Sequence, residues 1–330
     1  MKTTTFKFAV AAAAVFAAFG ATAADYPEKG KTITIVVPFT AGGPTDRVAR
    51  DLAEALRKPL NGATIVIDNT AGAGSSIGMA KVARANPDGY TLLLNHIGMA
   101  TVPGLYRKLP FNVEKDFEYM GIINDVPMTL IGKPTLPANN YKELSAWIAA
   151  NKGKINLANA GVGSASHLCG LLFQSQLQTD MTPVPYKGAA PAIADLMGNQ
   201  VDLLCDQTTN TTQQIAGKKV KAYAVTTPKR LTTPDLKDLP TLQESGLKGF
   251  EVTIWHGLYA PKGTPAAVIK TVNEALKVAL KDPTFVKNEE ALGAVIANDD
   301  RLTPEGHKKF VISEINKWGP IIKAAGAYAD

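Results

Sequence analysis

The chain has 330 residues, 45% of them hydrophobic and 19% charged, with a formal net charge of +6. That length suits about two domains, and the composition excludes a disordered chain. No run of lysine or arginine exceeds two residues, so the clustered cationic face needed for nucleic acid is excluded as well.

Residues 1–24 read as a secretory signal peptide. MKTTTFKF carries Lys2 and Lys7, AVAAAAVFAAFG is a short apolar core, and ATAAD offers a small-residue cleavage site after Ala23 or Ala24. The apolar core is too short to span a bilayer. The mature chain is therefore expected to be exported as a soluble protein of net charge 6 − 2 = +4. In that oxidising compartment Cys169 (in HLCGLL) and Cys205 (in VDLLCD) read as small buried hydrophobes, with a bond between them as the alternative.

Strands then alternate with helical patterns. TITIVVPF predicts a buried strand, TDRVARDLAEALRKPL a helix with Val48, Leu52, Leu56 and Leu60 on one face, ATIVIDN a second strand, SSIGMAKVARANPDG a short helix, and YTLLLNH a third strand. A second set starts near residue 127: PMTLIGK, NYKELSAWIAANKG, INLANA, SASHLCGLLFQSQL, TPVPYKG, AAPAIADLMGNQ, VDLLCDQ and VKAYAVTT. TTPDLKDLPTLQESG breaks the rhythm, EVTIWHGLYAPKGTP returns to a strand, and the C-terminal third is helical, its last helix opening with Thr303 as cap and Pro304 in the first turn. Such alternation predicts an α/β fold of two doubly wound lobes with parallel sheets. The expected division is 25–126 with 227–330 for lobe 1 and 127–226 for lobe 2, joined by a hinge, with the ligand site in the cleft between them.

Three glycine-bearing turns each follow a strand and open a helix: Ala41-Gly42-Gly43, NTAGAGSSIG with Gly72, Gly74 and Gly78, and ANAGVGSASH with Gly161 and Gly163. Helix starts at the carboxyl ends of strands present free N–H groups and a partial positive charge, which suits an anion. A dinucleotide is disfavoured, because Gly72, Gly74 and Gly78 are spaced G-x-G-x-x-x-G and the next strand ends in Asn95-His96 without an acid. A hydrolase is disfavoured, because GSASH around Ser164 lacks the G-x-S-x-G elbow. His96, His167, His256 and His307 do not fall at metal-ligand spacing, so neither metal nor cofactor nor enzymatic activity is expected.

PFTAGGPTDRVAR, GYTLLLNHIGMA, LYRKLPFNVEKDF, GSASHL, VPYKGAAPAIADLMGNQVDLL, LPTLQESG and WHGLYAPKGTP, in that order, resemble the Bug-type or TctC-type solute receptors of tripartite tricarboxylate transporters, over essentially the whole mature chain. The resemblance implies a type II periplasmic-binding-protein fold, a Venus flytrap that binds a di- or tricarboxylate, or an aromatic acid such as terephthalate, and delivers it to membrane permease subunits. It implies a monomer, with a sensing module for a signalling partner as the alternative use of the fold. Carried onto this sequence, the family's ligand loops contain Phe39, Thr40, Ala41, Gly42 and Gly43, then Ala73 and Gly74, then His96 in lobe 1. In lobe 2 they contain Ala160, Gly161, Ser164 and Ser166, with Asp206 and the residues after it at another strand end. On this reading Gly42 and Gly43 let helix-start amides approach a carboxylate. Asp206 would repel a second carboxylate unless it meets a hydroxyl, an amine or water, and Lys187 is a candidate balancing charge.

Overall fold

The structure is a computed structural model that describes residues 26–324; the expected signal peptide lies outside the described residues. Three β-α repeats come first: β1 (Ile33–Val37), α1 (Pro44–Arg57), β2 (Ile65–Asn69), α2 (Ser76–Ala83), β3 (Thr91–Asn95) and α3 (Gly98–Leu105). β1 pairs in parallel with β2 and β3. β-Branched residues make β1 a buried strand, and Val48, Leu52 and Leu56 bury one face of α1 against it.

The chain then enters β4 (Phe117–Gly132), followed by α4 (Tyr141–Ala150), β5 (Asn156–Asn159), α5 (Ala165–Leu177), β6 (Thr182–Pro185), α6 (Ala189–Met197), β7 (Leu203–Gln207), α7 (Thr208–Ala216) and β8 (Lys221–Val225). It finishes with β9 (Thr253–Pro261), α8 (Ala266–Ala279), α9 (Pro283–Ala291), β10 (Val295–Ile296) and α10 (Pro304–Ala324). Thr303 caps α10 as expected, its hydroxyl accepting from the Gly306 amide at 3.0 Å.

The strands follow one path, β2-β1-β3-β9-β4-β7-β5-β6, with β8 and β10 also on β4. β4 serves both halves. Residues 117–127 pair with β9, and residues 128–132 pair with β7 and with β8. Two α/β lobes therefore share one long strand.

Two differences from the sequence reading stand out. The sheets are mixed rather than parallel, because β9 runs antiparallel between β3 and β4. The first half of β4 was not expected as a strand. Gly121 sits there at φ +137° and Asn124 and Asp125 interrupt the apolar pattern, and the register shifts on both sides of Ile122. α7 is likewise unexpected: TTNTTQQIA has poor helix propensity, but Thr212 Oγ1 reaches the carbonyls of Thr208 and Leu292 and ties the helix to lobe 1.

Candidate functional site

The carboxyl ends of β1 and β3 face those of β5 and β7 across the cleft. In lobe 1 the chain leaves β1 through Phe39 and turns at Gly42, whose φ of +78° favours glycine. The Gly42 N–H donates to Asp46 Oδ2 at 2.9 Å, and Arg50 Nε donates to the same oxygen at 2.9 Å. Asn69 Nδ2 donates to Asp46 Oδ1 at 3.0 Å and to the Phe39 carbonyl at 3.1 Å. Burial pushes the Asp46 carboxyl up, but the hydrogen bonds from Arg50, the Gly42 amide and Asn69 outweigh it and hold the group below its ordinary value. The Gly42 amide thus serves Asp46 rather than facing outward. Pro44 has no N–H, so the first free amides of α1 are those of Thr45 and Asp46.

His96 follows β3 and is buried. Its ring stacks on Phe39 with centroids 4.6 Å apart, and its Nδ1 accepts from the Gly98 amide at 3.0 Å, which leaves the proton on Nε2. Burial drives its pKa down to about 3, so the ring is a neutral donor.

In lobe 2, Ser164 caps α5 by accepting from the His167 amide at 3.3 Å. Ser166 Oγ accepts from the Ala160 amide at 2.7 Å and lies 3.2 Å from Ser164 Oγ. His167 Nδ1 accepts from the Gly163 amide at 3.3 Å, so it braces the turn instead of serving Ser164 as a base. α6 opens at Gly188 and α7 at Gln207, neither with a side-chain cap. Gln207 Oε1, Thr208 Oγ1, Thr209 Oγ1 and, across the cleft, Thr40 Oγ1 are buried without a hydrogen-bond partner. Asp206 is the penultimate residue of β7; burial pushes its carboxyl up to about 6, although Asn210 Nδ2 at 2.6 Å and the Gln207 amide pull the other way.

Cys169 on α5 and Cys205 on β7 are bonded, with Cα atoms 6.1 Å apart. This corrects the reading of two separate buried thiols. The fold brings together residues 36 apart in the chain directly behind Ser166 and Asp206.

The lobes meet closely. A β-carbon on Gly74 would overlap the Val162 carbonyl, and one on Gly188 would overlap Thr40. Thr101 Oγ1 donates to the Gly163 carbonyl at 2.7 Å and Tyr106 OH to that of Val162 at 3.1 Å. What remains between them is a cavity of about 10 Å³. Of the thirteen residues expected from sequence, Phe39, His96, Ala160, Ser164, Ser166 and Asp206 line it. Thr40, Gly42, Gly43, Gly74 and Gly161 lie at the contact between the lobes, and Ala41 and Ala73 are exposed. Pro44, Thr45, Ala165, Ala189 and Gln207 also line the cavity and were not named from sequence, though GGPT and KGAAP carried the helix starts that place Thr45 and Ala189. Lys187 is exposed. A larger groove of about 780 Å³ beside Tyr26, Lys31 and Val268 lies at the amino ends of β1 to β3, away from these helix starts. Among the described residues no cluster of metal-ligating side chains occurs and no helix is long and apolar enough to cross a membrane.

Residues 48–327 match the model of the tripartite tricarboxylate transporter family receptor. The chain is 49% identical to the periplasmic binding protein BugD, covering 92% of this chain and 100% of that one with a TM-score of 0.88. It is 35% identical to MatC from Rhodopseudomonas palustris, solved with malate, over 89% of this chain and 100% of that one (TM-score 0.84). A further R. palustris protein, solved with adipate, is 31% identical over 92% and 99% of the two chains (TM-score 0.85).

Proposed function

The chain belongs to the tripartite tricarboxylate transporter receptor family, and from that premise we propose that it is a periplasmic receptor that closes around a small dicarboxylate and hands it to membrane permease subunits. The observation that carries the reading is the convergence of four helix starts, those of α1, α5, α6 and α7, on one cavity. Those of α1, α6 and α7 have no side-chain cap, so their N–H groups are available to a bound anion, and all four add the field of the helix dipole. Malate and adipate in two relatives support the dicarboxylate class over a bulky aromatic acid.

On this reading lobe 1 comprises residues up to 126 and from 227, lobe 2 comprises 127–226, and ligand binding draws the two together across Thr40, Gly74 and Gly161. The leader at 1–24 and the disulfide both fit an oxidising compartment outside the cytoplasm. The protein works as a monomer and does no chemistry on its ligand. A thermal-shift screen against a carboxylate panel tests the reading. A true ligand at one hundred times its Kd stabilises the fold by about 2.7 kcal/mol, a readily measured rise in Tm. A panel of C4 to C6 dicarboxylates that leaves Tm unchanged would overturn the assignment.

A further inference from the structure

The cavity assigned to a carboxylate already contains one. Asp206 is 1% exposed and lines the cavity together with Thr45, His96, Ser164 and Ser166. Its Oδ2 accepts from Asn210 on α7, and its cross-strand partner on β4 is Thr129. Every other polar group that faces it is uncharged: Ser164 and Ser166 from α5, with neutral His167 behind them, Thr45 from α1, and His96 after β3 as a neutral ring. Among the described residues lining the cavity there is no lysine or arginine. The charged groups of α1 nearest to it are engaged elsewhere, Asp46 with Arg50 and Arg47 with Asp51.

The space as it stands has room for about one water, so a dicarboxylate enters only as the lobes part; once seated, it sets a second anion beside Asp206 with only helix starts to offset the charge. Two carboxylates in one desolvated site do not both stay ionised; they share a proton. We propose that Asp206 and one carboxyl group of the ligand hold a single proton between them, so that the receptor takes up its dianion together with H⁺ from solvent. The inference rests on the carboxylate reading above and deepens it, since Asp206 then selects a ligand group that can share a hydrogen at this point.

The direction with pH follows. Burial, partly offset by the hydrogen bonds from Asn210 and the Gln207 amide, already places the Asp206 carboxyl at about 6, and a bound anion raises it further. Binding is therefore strongest below pH 6. As pH rises through that value, affinity falls, approaching tenfold per pH unit, until the pKa of the complex is reached.

Calorimetric titration with malate and with adipate, each in two buffers of different ionisation enthalpy, counts the protons. The wild type is expected to take up close to one proton per ligand at pH 7.5. Asp206→Asn keeps the shape and a hydrogen-bond donor, so it is expected to take up none and to bind with a Kd that is flat from pH 6 to pH 8. Binding by the wild type without proton uptake would overturn the proposal, and needs no variant to fold. Aspartate binding without a proton, lost altogether in Asp206→Asn, would also overturn it, because Asp206 would then pair with an ammonium. No heat with any carboxylate at any pH would instead overturn the receptor reading on which the proposal stands.

Discussion

Each wall of the cleft carries one buried aspartate, and the pKa values of the two are pushed in opposite directions. Asp46 in lobe 1 is 3% exposed and Asp206 in lobe 2 is 1% exposed, yet Asp206 lies deeper in the protein and loses more of its hydration. Their partners differ as well. Asp46 takes hydrogen bonds from Arg50, Asn69 and the Gly42 amide and stays ionised below its ordinary pKa. Asp206 has an amide side chain and one backbone N–H but no cation, and its pKa rises to about 6. The first is a brace for the turn that carries Phe39. The second faces the cavity with its charge uncompensated, while the wall behind it is held by the bond between Cys169 and Cys205. One wall is braced by an ionic network and the other by a covalent link.

The comparison is broken hardest by removing the covalent link. Cys169→Ser with Cys205→Ser opens a 36-residue loop and is expected to cost about 4 kcal/mol on loop entropy alone, read by chemical denaturation. Removing the ionic brace comes next. Asp46→Ala leaves the Gly42 N–H and the Arg50 guanidinium without their acceptor and Asn69 with only the Phe39 carbonyl, and about 3 kcal/mol of stability should go with it, together with a loss of ligand affinity. Asp206→Asn should retain stability, and an equal loss in the two variants would show that both aspartates are braces. Gly42→Val acts on closure more than on folding. Valine is strained at φ +78°, and its methyl groups would press on Ala190, whose Cβ lies 3.9 Å from the position of a β-carbon there. Affinity is expected to fall about tenfold to a hundredfold, roughly 1.4 to 2.8 kcal/mol, while the protein still folds. An unchanged Kd in the folded variant would make the turn purely structural.

The smallest effect is a slope with pH in the absence of ligand. A carboxyl raised from an ordinary value near 4 to about 6 favours the folded state when protonated, so its contribution is complete below pH 4 and is lost as pH rises through 6. Between pH 5 and pH 8 the loss from Asp206 is about 1.4 kcal/mol, and Glu289, pushed up to about 7 by burial, adds to it in the same direction. Asp46 works the other way, losing its contribution as pH falls below the carboxylate range. The difference in stability between wild type and Asp206→Asn across pH 5 to 8 isolates the first of these slopes.

The handover from strand to helix was legible in the sequence wherever glycine marked it, and with it the placement of Phe39, Ser164 and Ser166, while His96 was legible as the end of the third strand. The neighbours of those glycines were not. Gly74 reads as a turn residue, but its lack of a β-carbon matters because Val162 from the other lobe lies against it, and a local pattern cannot show that. The disulfide was hidden for the same reason. The first half of β4 was hidden because its polar residues look like a loop. Asn124 is satisfied inside the protein, donating to Glu289 at 2.8 Å and lying 2.8 Å from His256 Nδ1. Only the completed fold makes such a residue acceptable in a central strand.

The place of β9 bears on how the chain is made. It fills the gap between β3 and β4, yet it begins at Thr253, more than one hundred residues after β4 ends. A chain emerging from its amino end therefore holds lobe 1 as two unjoined pieces, with the edges of β3 and β4 bare, while lobe 2 already has all its strands. Lobe 1 zips shut only when the last third arrives. If the chain is exported as proposed above, this order suits it, since its larger unit stays open until late in synthesis. A truncation ending at residue 250 is expected to show the consequence under limited proteolysis: lobe 2 survives as a resistant fragment, and residues 26–116 are digested.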